Sequence, residues 1–181
     1  MDNTGGTKGA LRSVIRERVV RLTAEECSAV ACKIFRAVEC EPAFIAAHSV
    51  ALFASLPDEP STEEFLHRWY GVKRLLLPRI VGDDMEFCDY EPDSMRAGAY
   101  GIAEPASSQP VAVEDIDFMI LPGRAFTPEG WRLGRGKGYY DRYMAKEGFR
   151  AFTVGVCFAV QVVEHLPLSP YDKRVDKIIY Y

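Results

Sequence analysis

The chain has 181 residues, of which 48% are hydrophobic and 27% are charged, a composition typical of one globular domain. Its 26 Asp and Glu residues outnumber its 22 Lys and Arg residues, which argues against a general nucleic-acid-binding surface because such a surface needs a basic face. No apolar run approaches membrane-spanning length and no signal-peptide core is present, so we expect a cytoplasmic protein with no membrane or nucleic-acid partner.

Two helices are predicted near the N-terminus. Apolar residues recur at helical intervals over residues 11–22, which predicts a first helix with basic residues on its other side. Thr23 and Glu26 have the spacing of a capping box. A second helix should therefore begin there and continue to about Val38.

Helices and short buried strands then alternate along the chain. Ser61 and Glu64 repeat the capping-box spacing and predict a helix to about Tyr70, and a further helix is expected from Tyr139 to Gly148. Strands are predicted at residues 49–54, 75–77, 85–90, 117–121, 151–158 and 177–181. This order predicts an α/β fold, a single domain over residues 1–181 with a mainly parallel sheet flanked by helices on both faces. In such folds, ligands bind at the carboxyl ends of the strands.

The glycine-rich run from Arg132 to Asp141 is the most informative segment. It places three alternating glycines, three cations, two aromatic residues and one carboxylate in ten residues. Glycines let backbone N–H groups approach a ligand closely, and successive donors opening a helix form an anion-binding nest. We therefore interpret the run as a nucleotide-phosphate site. Composition alone leaves open a flexible loop with solvated charges.

Two better-known glycine motifs do not fit this run. A Walker loop needs a glycine five positions before Gly136, where Trp131 stands, and a Ser or Thr after Lys137, where Gly138 stands. A dinucleotide-binding fingerprint that began at Gly134 would require glycine in place of Tyr139. The run therefore belongs to neither class.

The segment from Leu121 to Asp141 resembles the signature of the 5-formyltetrahydrofolate cyclo-ligases, also called 5,10-methenyltetrahydrofolate synthetases. That signature has Pro-Gly after a strand, then Phe, then Gly-x-Arg-Leu-Gly-x-Gly-x-Gly-Tyr-Tyr-Asp, and this chain matches it from Gly130 onward. Other segments that resemble elements of the family lie at residues 8–12, 58–59, 100–105 and 172–176. Together the resemblances span nearly the whole chain.

The resemblance implies ATP-dependent cyclisation of 5-formyltetrahydrofolate to 5,10-methenyltetrahydrofolate, with release of ADP and phosphate. The formyl oxygen would attack the γ-phosphate of ATP, and the second folate nitrogen would then close the ring and expel phosphate. Catalysis of phosphoryl transfer depends mainly on positioning and charge stabilisation. The three histidines of the chain form no spacing that indicates covalent catalysis, which agrees with such a mechanism.

ATP binding is assigned by the resemblance to basic residues and glycines. Lys8 and Arg12 resemble the N-terminal ATP contacts, with solvated charges at a helix start as the alternative. The contacts in the run would be Arg132, Gly134, Arg135, Gly136, Lys137, Gly138 and Tyr139. Arg135 and Lys137 are the predicted catalytic residues, because they would neutralise charge that develops on the transferred phosphate.

The resemblance also implies Mg²⁺ as the cofactor. Asp141 and Asp176 resemble its ligands, hard carboxylates suited to an ion that bridges phosphate oxygens. Asp141 alone could instead be a helix-start charge favoured by the helix dipole. Its pairing with the distant Asp176 favours the metal role.

Folate contacts are predicted at Ala54, Glu59, Tyr100, Tyr139 and Tyr140. The Glu59 carboxylate would accept two parallel N–H bonds from the amino-pyrimidinone edge of the pterin, with an exposed turn charge as the alternative. The tyrosines would offer flat surfaces to the pterin or aminobenzoyl ring, or pack in the core. Arg79 is the candidate partner of the glutamate tail.

The chain departs from the family pattern at three positions. Thr127 stands where an aspartate often follows the phenylalanine, Tyr171 where a histidine often precedes Asp172, and Ala54 where a longer side chain is expected. These departures affect loop packing, metal-site detail and folate fit more than the reaction class. Residues 91–114 have few periodic signals and are predicted to form a long functional loop.

Two rival hypotheses stay open. One is a non-catalytic folate- or nucleotide-binding paralogue, and the other is a sugar-phosphate isomerase on a similar α/β fold. The joint presence of Glu59, Lys137, Asp141 and Asp176 favours the enzyme, because a pure binding protein has no need of a metal pair. We expect a monomer whose partners are 5-formyltetrahydrofolate and ATP.

Overall fold

The computed structural model describes residues 7–98, 101–106 and 109–181, so the predicted contact residue Tyr100 lies outside the described residues. The helices are α1 (Lys8–Val19), α2 (Ala24–Glu39), α3 (Pro42–Ala46), α4 (Glu63–Trp69) and α5 (Tyr139–Met144). The strands are β1 (Ser49–Ala51), β2 (Arg74–Val81), β3 (Asp84–Asp89), β4 (Met95–Ala97), β5 (Ala103–Pro105), β6 (Phe118–Leu121), β7 (Ala125–Phe126), β8 (Arg132–Leu133), β9 (Phe152–Cys157) and β10 (Lys177–Tyr180). None of the helices in these ranges has the length and apolar character needed to span a membrane.

The main sheet has six strands in the order β10-β9-β6-β1-β2-β3. All neighbours in it are parallel except β2 and β3, which form an antiparallel hairpin that turns at Gly82 with φ +61°. The pairs β4–β5 and β7–β8 form two small antiparallel sheets. The predicted α/β class and mainly parallel sheet are confirmed, and the strand predicted at 85–90 is the antiparallel edge strand β3.

The sequence predicts a strand that ends at Leu77, just before Pro78, but Pro78 lies within the observed strand β2. β2 continues to Val81, with Pro78 opposite Phe87 of β3. The Leu76 carbonyl accepts a bond from Leu52 at 2.9 Å on the β1 side, and Pro78 faces that same side because backbone groups alternate along a strand. The register with β1 ends at Leu76, so the missing N–H of Pro78 costs no ladder bond.

The two predicted capping boxes have different outcomes. Thr23 Oγ1 accepts a bond from the Glu26 N–H at 3.2 Å and the Thr23 N–H donates to Glu26 Oε2 at 2.8 Å, so the box of α2 is confirmed. The box at Ser61 is wrong, because Thr62 caps α4 and makes no side-chain cap bond. The Thr62 hydroxyl instead accepts from the backbone N–H of Ser55 at 3.3 Å, which ties the helix start to the loop after β1.

Alternate strand residues pack on opposite faces of the sheet. Val50 of β1 is fully buried in a cluster with side chains of α2, α3 and α4. The next residue, Ala51, is fully buried in a cluster that includes Tyr143 of α5. Helices therefore cover both faces, as predicted. In a third cluster, Ile15 of α1 packs against Leu133 of the β7–β8 hairpin, which holds α1 beside the glycine-rich run.

The carboxyl ends of the neighbouring parallel strands β1 and β6 form the edge at which the site lies. The loops after β1 and β6 leave the sheet from Ala51 and Leu121 on this edge. They carry, respectively, the acidic turn Asp58-Glu59 and the glycine-rich loop, which we define as residues 132–138. Parallel pairing thus brings two distant sequence motifs to the same edge.

Candidate active site

A cavity of about 320 Å³ opens between the β2–β3 hairpin and the glycine-rich loop. Its apolar walls include Leu56, Pro78, Ile80, Met85, Ile102 and Pro122. Its charged side chains are Glu59, Glu104, Arg132, Arg135, Lys137 and Asp141. An apolar cavity with a few convergent polar groups is the usual form of a small-molecule site. We call it the central cavity.

A second, larger cleft of about 1230 Å³ adjoins the central cavity. It lies against α1, α2 and α4, and Leu56, Glu59 and Arg135 line both spaces. The ion pairs of Arg135 with the acidic turn therefore form a wall between the two spaces.

The glycine-rich loop contains two residues with positive φ, a backbone conformation that residues with a Cβ rarely adopt. Gly136 has φ +111° and Gly138, the N-cap of α5, has φ +70°. The Nε of Arg12 donates to the Gly134 carbonyl at 2.8 Å, and its guanidinium carbon lies 3.5 Å from the position that a Cβ on Gly136 would take. The predicted N-terminal ATP contact Arg12 thus lies on the glycine-rich loop.

Lys8, the other N-terminal prediction, points to a different partner. Its Nζ donates to the two carboxylate oxygens of Asp172 at 2.8 and 2.6 Å and to Ser169 Oγ at 3.3 Å. Burial alone would raise the pKa of Asp172, but the bonds from Lys8 and Ser169 hold that pKa below its usual value. Lys8 therefore fastens the start of α1 to the C-terminal segment.

Arg132 is the most deeply buried cation of the central cavity, with 3% of its side chain exposed. Its Nη2 lies 3.1 Å from Asp141 Oδ2, and its guanidinium carbon lies 5.4 Å from the centre of the Tyr140 ring. Within the described part of the chain, Nε and Nη2 have no hydrogen-bond partner. Buried donors without partners mark a place where a ligand or water completes the site.

Arg135 is held by the acidic turn. Its Nη2 contacts Glu59 Oε1 at 2.7 Å and Asp58 Oδ1 at 2.5 Å, and its Nε contacts Glu59 Oε1 at 3.0 Å. Glu59 Oε2 accepts from the Leu56 N–H at 3.0 Å, and Arg124 pairs with Asp58 Oδ2. Burial acts to raise the pKa of Asp58, but the two arginines hold it below its ordinary value.

Lys137 differs from its two neighbouring cations. The side chain is exposed at the mouth of the central cavity, and its Nζ has no ion-pair or hydrogen-bond partner among the described residues. Its backbone carbonyl accepts from Arg142 Nη1 at 2.8 Å, which fixes the loop at this point. The ammonium group is therefore available to a ligand.

The two predicted magnesium ligands line different depressions. Asp141 lines the central cavity and its Oδ1 accepts from the Lys173 N–H at 3.1 Å. Asp176 lines a depression beside the start of β9, where its Oδ2 accepts from the backbone N–H and the hydroxyl of Thr153 at 2.8 and 2.6 Å. No group of three or more His, Cys, Asp or Glu side chains suited to a metal occurs in residues 7–98, 101–106 and 109–181.

Some of the predicted folate contacts line the central cavity and others do not. Glu59, Tyr139 and Tyr140 line the central cavity, and burial raises the pKa of the Tyr140 hydroxyl well above its usual value. Ala54 is half-buried in the loop after β1 and is not among the residues that line the cavity. The Arg79 guanidinium is paired with Glu86 of β3, with Nε 2.9 Å from Oε1.

Two residues of the site escaped the sequence reasoning. Glu104 lines the central cavity with 5% exposure, and its only sequence signal was its place in the family element at 100–105. Arg124 contacts Asp58 across 66 residues of sequence, a separation that no local pattern reveals. The departures Thr127 and Tyr171 are, respectively, buried and exposed, and neither lines the cavity.

The chain is similar to known proteins of one family over nearly its whole length. The model of the 5-formyltetrahydrofolate cyclo-ligase family matches residues 4–181. A 5-formyltetrahydrofolate cyclo-ligase of Escherichia coli K12 is 29% identical over 174 residues, covering 92% of this chain and 96% of its own, and the mouse enzyme is 24% identical over 193 residues, covering 96% and 93%.

Two solved structures of 5,10-methenyltetrahydrofolate synthetases are similar to this chain. The 5,10-methenyltetrahydrofolate synthetase of Aquifex aeolicus has a TM-score of 0.86 at 33% identity and covers 96% of this chain and 89% of its own. The synthetase of Mycoplasma pneumoniae has a TM-score of 0.76 at 26% identity and covers 96% and 98%. Both similarities extend over nearly the full length of each chain.

Proposed function

The chain belongs to the 5-formyltetrahydrofolate cyclo-ligase family and is an enzyme of that family, and from this premise we propose that it converts 5-formyltetrahydrofolate to 5,10-methenyltetrahydrofolate at the expense of ATP. In the first step the formyl oxygen bonds to the γ-phosphorus while the bond to ADP breaks. In the second, the other folate nitrogen attacks the formyl carbon and loses its proton, and the carbon–oxygen bond breaks to release phosphate.

The observation that carries the proposal is the Arg132 guanidinium. It lines a mainly apolar cavity of about 320 Å³, and two of its buried donor atoms make no hydrogen bond in the described chain. Nε has no partner there, and Nη2 has only its ion-pair contact with Asp141. In a site of low dielectric, preorganised donors of this kind stabilise charge that develops on a transferring phosphate far better than water does. Arg132 is therefore assigned to the γ-phosphate.

The remaining cations are assigned from their positions around the glycine-rich loop. Arg12, which already donates to the Gly134 carbonyl, holds the loop for the nucleotide. Lys137, exposed at the mouth, meets the phosphates as a point charge. Arg135 reaches them after it leaves Glu59. Lys8 supports ATP binding indirectly, through its bond to Asp172.

Magnesium fits this site through Asp141. The ion is usually bound by one or two carboxylates, with phosphate oxygens and waters completing its coordination. Asp141 would supply one hard carboxylate at the cavity. Asp176 lies in the separate depression beside β9 with its Oδ2 on Thr153, so its place as a second ligand stays a prediction from the family resemblance. When bound, the ion neutralises charge on the phosphate oxygens.

Folate is assigned to the end of the central cavity near the acidic turn. Glu59 is the proposed acceptor for the pterin edge, between the apolar wall of Leu56 and the ring of Tyr140. Both Glu59 oxygens are occupied, since Oε1 accepts from Arg135 and Oε2 from the Leu56 N–H. Binding of the pterin therefore requires Arg135 to leave Glu59.

The direct test follows the near-ultraviolet absorbance of the methenyl product. Absorbance should rise only when ATP, magnesium and the 5-formyl isomer are all present, and the 10-formyl isomer should not consume ATP. Product formation without nucleotide would exclude the coupled mechanism. Folate or nucleotide binding with no product under any condition would favour a non-catalytic paralogue.

A further inference from the structure

An alternating chain of charges connects the strand edge to the glycine-rich loop: Arg124, Asp58, Arg135 and Glu59. Asp58 is the shared member, with Arg124 on its Oδ2 and Arg135 on its Oδ1 at 2.5 Å. Arg124 and Asp58 expose only 15% and 24% of their side chains, so this pairing is partly shielded from water.

We propose that Arg124 is a positioning residue for nucleotide binding. By occupying one oxygen of Asp58, Arg124 limits how firmly the acidic turn holds Arg135, and Arg135 stays available to the phosphates of ATP. The proposal rests on the function proposed above, in which Arg135 meets the phosphates of ATP.

The backbone around Arg124 is fixed, which is what a positioning residue requires. Its N–H donates to the Leu133 carbonyl at 2.7 Å, so its position is set by the β7–β8 hairpin that leads into the glycine-rich loop. The buried Gln161 donates its Nε2 to the carbonyls of Gly123 and Arg124 at 2.9 and 3.1 Å. The guanidinium therefore reaches Asp58 from a rigid support.

Loss of Arg124 would change the partner of Asp58. Both carboxylate oxygens would then be open to the planar guanidinium of Arg135, and a bidentate pair is stronger and more specific than a contact to one oxygen. Among the described residues, Arg135 would also be the only cation left paired with Asp58. The phosphates would have to remove Arg135 from a stronger partner, so nucleotide binding would weaken while the reacting groups stayed unchanged.

The test is the steady-state kinetics of Arg124→Leu. Because partly exposed ion pairs contribute little, we expect the KM for ATP to rise roughly fivefold, with a smaller change in kcat. Arg124→Lys, which keeps a single-point contact to Asp58, should recover most of the defect. Arg74→Leu is the matched control, since Arg74 pairs with Asp89 at the start of β2 and should leave the KM for ATP unchanged.

The decisive variant is the double substitution Arg124→Leu with Asp58→Asn. It removes the carboxylate that holds Arg135, so the KM for ATP should return to within about twofold of the wild-type value. An elevated KM that persists in the double variant would overturn the proposal and assign the defect to loop structure. An unchanged KM in Arg124→Leu, with an unchanged melting temperature, would also overturn it. Failure of the proposed function is separate, because the wild-type protein would then form no product.

Discussion

Replacement of Arg132 by lysine tests the central element of the site. The Arg132 guanidinium lies 3.1 Å from Asp141, and the substitution keeps a positive charge on this side chain but removes the planar fork with its several donors. The substitution therefore removes both buried donors, Nε and Nη2, that make no hydrogen bond in the described chain. If Arg132 serves only as an ion-pair partner of Asp141, the substitution should lower kcat slightly. If Arg132 takes part in phosphoryl transfer, kcat should fall steeply.

The structure sets the expected magnitudes. Loss of a preorganised donor to developing charge costs about 2.7 to 4 kcal/mol in the transition state, so kcat should fall roughly a hundredfold to a thousandfold. The folded state loses the contact between the Arg132 guanidinium and the Tyr140 ring, about 0.5 to 2 kcal/mol. For a chain of this size each kcal/mol lowers Tm by about 2 to 4 °C. The defect should therefore lie in catalysis far more than in stability.

The measurement pairs initial rates of methenyl formation at saturating substrates with a thermal melt. Arg74→Lys is the matched control, because the Arg74 guanidinium is 48% exposed, pairs with Asp89 and does not line the central cavity. That variant should keep kcat within about twofold. If Arg132→Lys retained a kcat within about threefold of the wild-type value, the assignment of Arg132 to the phosphate would be wrong.

Three further variants separate the metal, folate and scaffold roles. Asp141→Asn removes the charge that magnesium needs but keeps the size of the side chain, so high magnesium should partly restore its rate, and a defect insensitive to magnesium would contradict the metal role. Glu59→Gln should raise the folate KM, with a loss of about 2 to 4 kcal/mol if two buried N–H donors are affected, and show no magnesium rescue; a raised ATP KM instead would reverse the ends of the site. Asp172→Asn should lower the free energy of unfolding in urea by about 1 kcal/mol at pH 7, because the lowered pKa of Asp172 means that its pairing with Lys8 stabilises the fold above the ordinary carboxyl pKa. That difference should shrink as the pH falls through the lowered folded-state pKa, and a difference that stays constant down to pH 2 would show that the charge is not responsible.

Local signals predicted the fold well where the partners are close in sequence. The box of Thr23 and Glu26 begins α2 because both of its bonds span three residues. The box at Ser61 failed because the hydroxyl of Thr62 pairs with Ser55 across the turn. Pro78 continues β2 because the neighbouring strand has already ended, a property of the sheet that the sequence around Pro78 does not contain.

In the candidate site, too, groups that are close in sequence were predictable, whereas partners that are distant in sequence were not. The glycine-rich loop and Asp141 are contiguous, so their grouping in one cavity was predictable from a single motif. The partners of Arg135 and Lys8 are separated from them by up to 77 and 164 residues, and only the folded chain brings such charges together. Residue type alone predicts that a cation binds an anion, but which anion it meets depends on the topology.

The cations of the cavity are mostly paired before a ligand arrives, and this has a thermodynamic consequence. Arg132 lies beside Asp141, and Arg135 lies on Glu59 and Asp58. A pterin at Glu59 must displace Arg135, whose nearest new counter-charge would be the phosphates. Folate and nucleotide should therefore bind cooperatively, and because the coupling of two ligands is reciprocal, each should tighten the other by the same factor.

This coupling can be measured by calorimetry with a non-hydrolysable ATP analogue and 5-formyltetrahydrofolate in the presence of magnesium. We expect each ligand to bind roughly fivefold or more tightly in the presence of the other, which is the lower range of measured coupling free energies. Glu59→Gln should reduce the factor, because it weakens the hold on Arg135 before folate binds. Equal affinities with and without the second ligand would show that Arg135 stays on the acidic turn throughout, and the nucleotide would then depend on Arg132 and Lys137 alone.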